Sequence, residues 1–236
     1  MQRVEMDRDD LTVPVFIEHT KPILKELQRL SPFDVESLMK VNEKLAVQAF
    51  MDFQDFSYEK KGTAAVFTYD GLVFKNIKAG ELQQEELEYL NEHLRILSGL
   101  YGVVRPLDGI LPYRLEMQCK LKVEDKSLYD YWEKSLYEEL YKNDDIIINL
   151  ASTEYSKAVS KYLKKENRWI DIEFVVFRDG KLKTVATLAK MARGQMIRFM
   201  ATEKITTPEE LKRFEGDGYT FEESLSSEDK YVFVMK

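Results

Sequence analysis

The sequence is poor in the side chains that build metal sites and disulfide bridges. Its 236 residues include one cysteine, Cys119, and two histidines, His19 and His93. One cysteine cannot form an internal disulfide, and these three residues do not have the mutual spacing of a zinc or haem site. We therefore expect a reducing compartment, no metal ion and no cofactor.

Long apolar runs and targeting signals are also missing. No stretch approaches eighteen consecutive apolar residues, which excludes a membrane-spanning helix. The opening MQRVEMDRDD has neither the basic start nor the apolar core of a signal peptide. These absences predict a cytoplasmic protein without a membrane partner.

The common enzyme signatures do not occur either. The sequence contains no GxSxG elbow, no phosphate loop ending in Gly-Lys-Ser/Thr and no GxGxxG fingerprint. Whether the protein is an enzyme is therefore left open by its motifs.

Charge is present in quantity but is unevenly distributed. The net charge of −7 argues against a polyanionic partner. The segment from Glu154 to Arg198, however, has eleven Lys/Arg and five Asp/Glu, a balance of +6 that leaves −13 for the remainder. This basic sector can bind nucleic acid or a phosphorylated ligand, and a solvated helix face is the alternative explanation.

The clearest helix signal lies near the N-terminus, in residues 31–53. Ser31 can cap a helix that has Pro32 at its first position, and Asp34 occupies the capping-box position. This helix is expected to end near Met39, and a short connection leads to a second helix that begins at Lys44. The pattern predicts a helical hairpin.

The remaining patterns alternate irregularly between strand and helix, without a repeat or a linker. They predict one compact α+β domain over residues 1–236, with a mixed sheet flanked by helices. The expected elements are a strand at Thr63–Tyr69 that enters a hairpin at Asp70-Gly71, a helix at Leu82–Leu97, a helix at Leu128–Tyr141, a fully buried strand at Ile146–Leu150, a helix at Thr153–Lys165, a hairpin at Trp169–Leu188 around Asp179-Gly180, helices at Leu188–Thr202 and Pro208–Phe214, and a strand at Tyr231–Met235.

The segment Leu94–Met117 clusters arginine, tyrosine and carboxylate around glycines and prolines. Gly99 is expected to take a left-handed helix-capping conformation, and Gly102 to permit a close backbone approach. A guanidinium pairs in two points with carboxylate or phosphate, so the cluster suits an anionic ligand. The alternative is an internal network of arginines and carboxylates that braces a long loop. The cluster consists of Arg95, Arg105, Asp108, Tyr113, Arg114 and Glu116.

Four blocks closely resemble the YaaA family of bacterial peroxide-stress proteins. They are LRILSGLYGVVRPLDGILPYRLEM (94–117), IINLASTEYSKAV (147–159), KMARGQMIRFM (190–200) and Gly218-Tyr219. The resemblance implies a cytoplasmic protein with a compact mixed α/β fold that keeps free intracellular iron low during hydrogen-peroxide stress and binds double-stranded DNA.

The resemblance runs from about Leu24 to the C-terminus. Family members open with a short apolar strand that leads into Ser-Pro-Ala-Lys, and this block does not occur here. We expect one sheet strand and one lysine contact to be missing with it.

Two groups of residues are candidates for DNA contact. A helix-hairpin-helix presents the backbone amides of a Gly-apolar-Gly turn, together with a nearby lysine, to DNA phosphates. Residues 38–46, LMKVNEKLA, have the apolar residues of this pattern but lack both of its glycines. Positive φ would strain Lys40, and an ordinary hairpin with surface lysines is the alternative. The second group recurs at helical spacing and would form one basic helix face, or a solvated flank. The candidates are Lys40, Asn42 and Lys44, then Lys157, Lys161, Lys164 and Lys165, with Arg168 continuing the second group.

A polar pocket is the enzyme-like alternative. Such a pocket could bind a nucleotide, an extruded base or another anionic small molecule, and Glu116 is the weak candidate for a general acid or base. The same polar residues could instead satisfy one another across the core. The junction between strand Ile146–Leu150 and the following helix supplies Asn149, Ser152 and Tyr155, and the resemblance places Lys190, Arg193 and the arginines of residues 95–116 near them. The candidate pocket residues are Arg95, Tyr101, Arg105, Tyr113, Arg114, Glu116, Asn149, Ser152, Tyr155, Lys190 and Arg193.

Overall fold

A computed structural model of the chain describes Met1 and residues 8–235. Its α-helices are α1 (Thr20–Gln28), α2 (Pro32–Met39), α3 (Glu43–Gln54), α4 (Ala65–Thr68), α5 (Leu72–Ile77), α6 (Gln84–His93), α7 (Leu128–Trp132), α8 (Ser135–Leu140), α9 (Thr153–Ser160) and α10 (Ala186–Glu203). Short 3-10 helices cover Ile17–His19, Ala79–Glu81, Pro208–Arg213 and Glu223–Leu225. Within the described residues, no helix is long and apolar enough to cross a membrane.

The strands form one larger mixed sheet and two small antiparallel pairs. They are β1 (Thr63–Ala64), β2 (Ile96–Ser98), β3 (Gly102–Val104), β4 (Gly109–Ile110), β5 (Ile146–Asn149), β6 (Arg168–Arg178), β7 (Lys181–Lys183), β8 (Tyr219–Phe221) and β9 (Lys230–Met235). Helices and this mixed sheet together confirm the predicted α+β class.

The chain divides into two compact units. The first comprises Met1–Thr68, Leu94–Leu140 and Ala151–Leu163, and the second comprises Tyr69–His93, Tyr141–Leu150 and Lys164–Lys236. The organisation as one domain over residues 1–236 stays a prediction.

The first unit is mainly helical. Helices α2 and α3 pack against each other, and α3 also contacts α1. Strand β1 pairs with β4, and β2 pairs with β3 around the turn formed by residues 99–101. Trp132 is almost fully buried, and its indole N–H donates to the carbonyl oxygen of Gly99 over 3.1 Å. This contact fixes the turn between β2 and β3.

The second unit is built around the mixed sheet, whose strand order is β5-β6-β9-β8, with β7 also paired to β6. Strands β5, β6 and β9 run parallel, while β7 and β8 are antiparallel to their neighbours. Alternate residues of β6, from Ile170 to Val176, face a core that includes Met196 of α10 and Phe233 of β9. Period-two burial along β6 therefore positions α10 over one face of the sheet.

Two local predictions are confirmed. Ser31 accepts a hydrogen bond from the amide of Asp34, and the Asp34 carboxylate accepts one from the amide of Ser31, so the capping box is complete. Asp179 and Gly180 have φ of 53° and 71°, the positive pair that a type I′ turn requires, between β6 and β7. The helices of residues 31–53 also begin and end within about two residues of the expected positions. That they act as a helix-hairpin-helix stays a prediction.

The strand and hairpin expected from Thr63 to the residues after Gly71 are wrong. Only Thr63 and Ala64 are extended, Ala65–Thr68 forms a helical turn, and Gly71 caps α5 with φ of −75°. Short apolar runs fit a strand or a buried helix equally well, so tertiary packing decides between them.

The helix expected over Leu82–Leu97 is too long at both ends. Helix α6 ends at His93, and Ile96 and Leu97 instead belong to β2. The left-handed glycine is Gly102, with φ of 72°, and not Gly99. Pairing with β3 satisfies the backbone groups of β2, which removes them from the helix.

Other boundaries are corrected by local conformation and by sheet position. The helix expected over Leu128–Tyr141 is broken at Glu133, whose φ is 44°. Strand β5 is not fully buried, because it forms an edge of the sheet and Ile146 is 38% exposed. The expectations about the opening residues fall partly on 2–7, outside the described residues.

Candidate functional site

The connection between α2 and α3, residues 40–42, has an unusual backbone. Lys40 lies in the left-handed region, with φ of 51° and ψ of 48°. Asn42 has φ of −75° and caps α3, accepting a hydrogen bond from the amide of Leu45 over 3.0 Å. The strain predicted for Lys40 is therefore present, at about 1–2 kcal/mol, because a Cβ crowds the carbonyl oxygen in this conformation.

The polar side chains of this connection face solvent. Lys40, Asn42 and Lys44 are all exposed. Within the described part of the chain, neither lysine forms an ion pair. The first amides of α3, including those of Glu43 and Lys44, have no acceptor within the helix, and the helix dipole favours an anion there. The first amides of α3, its helix dipole and the two lysines can thus bind a phosphate together.

The basic group that begins at Lys157 does not form one helix face. Helix α9 ends at Ser160, and the following residues turn, with the amide of Tyr162 donating to the carbonyl oxygen of Val159. Only Lys157 lies inside the helix, so the helical spacing assumed for the group is wrong. Lys157 extends over the ring of Tyr129, 4.2 Å from its centroid.

The other lysines of this group lie beyond the helix. Lys161 is placed 4.8 Å from the ring centroid of Tyr162. Lys164 and Lys165 are exposed, and Arg168 forms an ion pair of 3.4 Å with Glu209. Lys161 belongs to the first unit and the last three to the second. Their role in DNA contact stays a prediction.

Buried hydroxyl groups form hydrogen bonds within the tyrosine-rich segment of the first unit. The hydroxyls of Tyr113 and Ser98 lie 2.6 Å apart, and the amide of Tyr101 donates to the Ser98 oxygen over 2.8 Å. The hydroxyl of Tyr101 accepts from the amide of Leu111. Tyr101, Tyr113 and Ser98 are all buried. The structure therefore brings two of the predicted pocket tyrosines together, because Ser98 bonds to the hydroxyl of Tyr113 and to the backbone amide of Tyr101.

Tyr155, on α9, belongs to the same unit. Burial raises the pKa of Tyr155 far above its ordinary value, and the neighbouring Tyr113 and the carboxylates of Glu154 and Glu116 raise it further. The phenol therefore stays protonated at neutral pH, and its oxygen accepts a hydrogen bond from the backbone of Met117. It cannot serve as a general base under those conditions.

Arg114 and Glu116 lie side by side at the end of the segment. Their side chains are 3.5 Å apart and are each well exposed, at 40% and 43%. The Nε atom of Arg114 is nevertheless buried and has no hydrogen-bond partner among the described residues. A buried donor without a partner is uncommon, so the guanidinium has capacity for another acceptor.

Asp108 braces the loop, but not through arginine side chains. It is 3% exposed, and its carboxylate accepts from the backbone amide of Arg105 over 2.7 Å and from the Thr12 hydroxyl over 2.6 Å. The Arg105 guanidinium is exposed and has no ion pair in the part of the chain that the structure describes. The loop is thus braced by a bond from the Arg105 backbone to Asp108, and the Arg105 side chain remains available to bind a ligand.

The remaining predicted pocket residues of the first unit are less distinctive. Arg95 donates to the carbonyl oxygen of Leu94 over 3.0 Å. Ser152 occupies the cap position of α9 without a side-chain capping hydrogen bond. Neither placement identifies a ligand.

The second unit contains the other three predicted pocket residues. Asn149 donates to Asp171, which also accepts from the indole of Trp169. Lys190 is exposed on α10. Arg193 is half-buried, burial lowers the pKa of its guanidinium, and its Nε has no hydrogen-bond partner among the described residues. A pocket shared by all eleven residues stays a prediction.

Arg198, on the same helix as Arg193, has a different environment. Its guanidinium donates to the carbonyl oxygens of Ile77 and Lys78 and lies 3.4 Å from the carboxylate of Glu81. Arg198 is therefore engaged within the second unit, whereas Arg193 is the arginine of α10 with unused donor capacity.

Sequence reasoning missed Ser98 and Glu154. Ser98 links Tyr113 to the backbone of Tyr101, and a Glu154 oxygen accepts from the amide of Gln118. Both residues lie inside blocks that resemble the family, which is the signal that could have identified them.

Burial raises the pKa of the Cys119 thiol. The residues described contain no group of three His, Cys, Asp or Glu side chains able to hold a metal ion.

The structure also has a pocket of about 290 Å³ away from the predicted residues. It is lined by Lys21, Pro22, Lys25, Glu26, Val123 and Glu124.

Comparison with known proteins identifies similar chains along the whole length. A family model described as "Peroxide stress protein YaaA" matches residues 1–225, which corrects the expected start near Leu24. A UPF0246 protein of Clostridioides difficile (strain 630) is 43% identical over 237 residues, with 100% of this chain and 96% of the relative covered. UPF0246 proteins of Agathobacter rectalis and Pediococcus pentosaceus are 41% and 39% identical, covering 100% and 99% of this chain and 96% and 94% of the relatives.

Proposed function

Because the chain belongs to the peroxide stress protein YaaA family, whose relatives include UPF0246 proteins, we propose that it binds double-stranded DNA without strong sequence preference and limits free intracellular iron during hydrogen-peroxide stress. The family supports the stress-response role. The connection between α2 and α3 is the observation that carries the DNA-binding part.

This connection has the chemistry of a phosphate contact. Lys40 precedes α3 and Lys44 lies in its first turn, so two exposed cations accompany the first amides of α3, which Asn42 caps. Such contacts go to phosphate oxygens and carry no direct sequence information. Binding through them is therefore expected to be sequence-independent and to weaken steeply with salt.

The backbone at Lys40 supports the same interpretation. Left-handed conformations are most often adopted by glycine, and the helix-hairpin-helix pattern has glycine in its turn. Here a lysine adopts that conformation at one of the two glycine positions, which adds a positive charge to the turn. We infer that Lys40 combines the roles of turn residue and phosphate contact.

The test is fluorescence polarisation with a duplex of about 30 base pairs over a range of salt concentrations. Lys40→Ala combined with Lys44→Ala should weaken binding and flatten the dependence of log K on log salt by about 1.8, which is about 0.9 for each phosphate that the protein no longer neutralises. Two unrelated duplex sequences should respond alike. An unchanged slope in the double variant would refute the assignment.

Lys204→Ala is the matched control. Lys204 is also exposed, also follows a helix and also has a left-handed backbone, with φ of 49°. Its replacement by alanine removes the same charge from the same conformation at a different place. The control should bind duplex with the affinity and salt slope of the unaltered protein.

We place the effect on iron downstream of DNA binding. The sequence offers one cysteine and two histidines, so carboxylates and tyrosines would be the main ligands for any direct iron site. Chelatable iron measured by electron paramagnetic resonance in peroxide-treated cells should stay high when the Lys40/Lys44 double variant replaces the natural protein. Full protection by that variant would separate the iron effect from DNA binding.

A second candidate function is the binding or conversion of a nucleotide or nucleobase. Arg114 favours it, because its buried Nε has unused donor capacity. Tyr113 and Tyr155 belong to the same unit. Glu116 would be the proton-transferring group. Thermal denaturation with a panel of nucleotides and bases should reveal a ligand that raises the melting temperature, and Arg114→Gln should abolish that rise. A flat response across the panel would count against this function.

A further inference from the structure

The hairpin formed by β6 and β7 extends beyond the sheet of the second unit. Among the described residues, strand β9 pairs with β6 as far as Val176, while β7 pairs with residues 176–178. Within the described part of the chain, residues 177–182 therefore form a two-stranded ribbon without a third strand. The type I′ turn at Asp179-Gly180 holds its two strands in register.

One face of this ribbon is apolar and exposed. Phe177 and Leu182 are directly opposite each other in the register, so their side chains project from the same face. Phe177 is 63% exposed and Leu182 is 42% exposed. An aromatic ring and a branched aliphatic side chain thus form a small solvent-facing patch near the tip.

The opposite face of the ribbon is cationic. Arg178 and Lys181 are cross-strand partners, and Lys183 lies on the same face two pairs further along. Lys183 pairs with Asp179 over 2.8 Å, whereas Arg178 and Lys181 have no ion pair among the residues that the structure describes. Residues 177–183 carry three cations and one anion, a balance of +2 on a chain of net charge −7.

Protection of a sheet edge explains only part of this arrangement. Lysines on an exposed strand discourage pairing with another chain, and Lys181 and Lys183 fit that role. An exposed phenylalanine on the same ribbon has the opposite effect, since it promotes association. A ribbon with an exposed ring on one face and cations on the other instead matches the chemistry of nucleic acid, whose bases stack on the ring and whose phosphates attract the cations.

We propose that the β6–β7 hairpin contacts unstacked bases of DNA, with Phe177 stacking on a base, Leu182 packing beside it, and Arg178 and Lys181 pairing with phosphates. This inference rests on the proposed DNA binding and names a preferred form of DNA: a duplex that contains mismatched or single-stranded bases. A fully paired duplex offers no free base face to the ring, so Phe177 adds little affinity there, while the hairpin cations still contact its phosphates.

The test compares two DNA molecules of the same sequence, one fully paired and one with a central bubble of about three unpaired bases. Phe177→Ala should weaken binding to the bubble by about 5- to 100-fold and leave binding to the paired duplex within about twofold. Arg178→Gln with Lys181→Gln should weaken both and reduce the salt dependence. Phe177→Trp should keep the preference and show fluorescence quenching when the bubble binds.

Matched controls exist on the same unit. Lys183→Gln removes a hairpin cation that Asp179 already neutralises, and Leu225→Ala removes an apolar side chain that is 38% exposed at another surface. Both should bind like the unaltered protein. Circular dichroism should show that every variant keeps the native fold, since all these positions are on the surface.

The outcomes separate this inference from the proposed function. If the Lys40/Lys44 double variant loses duplex affinity while Phe177→Ala binds both DNAs normally, the hairpin inference is overturned and the proposed function stands. If Phe177→Ala loses affinity for both DNAs equally, base stacking is overturned. Binding of the protein to vesicles of phosphatidylserine and phosphatidylcholine that depends on Phe177, without a bubble preference, would overturn it in favour of a lipid surface.

Discussion

Replacement of Gly194 by alanine should destabilise the second unit, although alanine is the better helix former. Gly194 lies in α10 where it crosses α5. A Cβ atom there would lie 2.1 Å from the carbonyl oxygen of Val73 and 2.7 Å from the Cβ of Asn76. The nearest obstacle is backbone, so no side-chain rotation relieves the clash, and the helices must separate by about 1 Å or more.

The two opposing effects can be compared in size. Alanine favours a helix interior by about 1 kcal/mol relative to glycine. Overpacking a close contact costs about 1–3 kcal/mol, and a backbone obstacle places this site at the upper end. The expected net loss for Gly194→Ala is therefore about 2 kcal/mol in the free energy of unfolding.

Urea denaturation followed by far-ultraviolet circular dichroism measures this loss as a lower midpoint with an unchanged slope. Gly80→Ala is the control, because a Cβ at Gly80 meets no atom within 4 Å. The control should stay within about 0.5 kcal/mol of the unaltered protein. A Gly194→Ala variant that is as stable as the control would refute the close packing of α10 on α5.

Three further outcomes are expected. Lys40→Gly should raise the free energy of unfolding by about 1 kcal/mol in the same urea assay, because glycine relieves the left-handed strain; no gain would contradict that strain. Cys119 should react slowly with dithionitrobenzoate in the native protein and fully after denaturation, since burial raises the pKa of its thiol; rapid native reaction would show an accessible thiolate. Hydrogen bonds from Ser31 lower the pKa of Asp34, so the carboxylate stabilises the fold above its unfolded pKa of about 3.9, and this stabilisation is lost as the pH falls further. The stability of Asp34→Asn, followed during acid titration, should not show this loss. A stability profile identical to that of the unaltered protein would refute the role of Asp34.

Local signals in the sequence predicted local structure well. Ser31, Pro32 and Asp34 specify a helix start through contacts only three residues apart, and the structure has that start. Asp179 and Gly180 tolerate positive φ, and the hairpin forms around them. In these cases the atoms that determine the conformation are close together along the chain, so no distant partner is needed.

The candidate site could be predicted only in part, because its contacts join distant segments. The composition of segment 94–117 drew attention to Tyr113 and the strand-to-helix junction to Tyr155, but the buried bond between Tyr113 and Ser98 and the proximity of Tyr155 depend on packing. The role of Asp108 was also hidden, since its carboxylate bonds to Thr12 across 96 positions of sequence. Spacing along the chain carries no information about such pairs.

The sequence by itself determined the family, the α+β class, the capped start of α2 and the turn between β6 and β7. Only the tertiary structure decided that residues 65–68 and 72–77 are helical, that β5 lies at a sheet edge, and that Lys157 alone of its basic group belongs to α9. The physical reason is the range of the interactions. Caps and tight turns are stabilised by neighbours in sequence, whereas short apolar runs take whichever conformation buries them best against residues far along the chain.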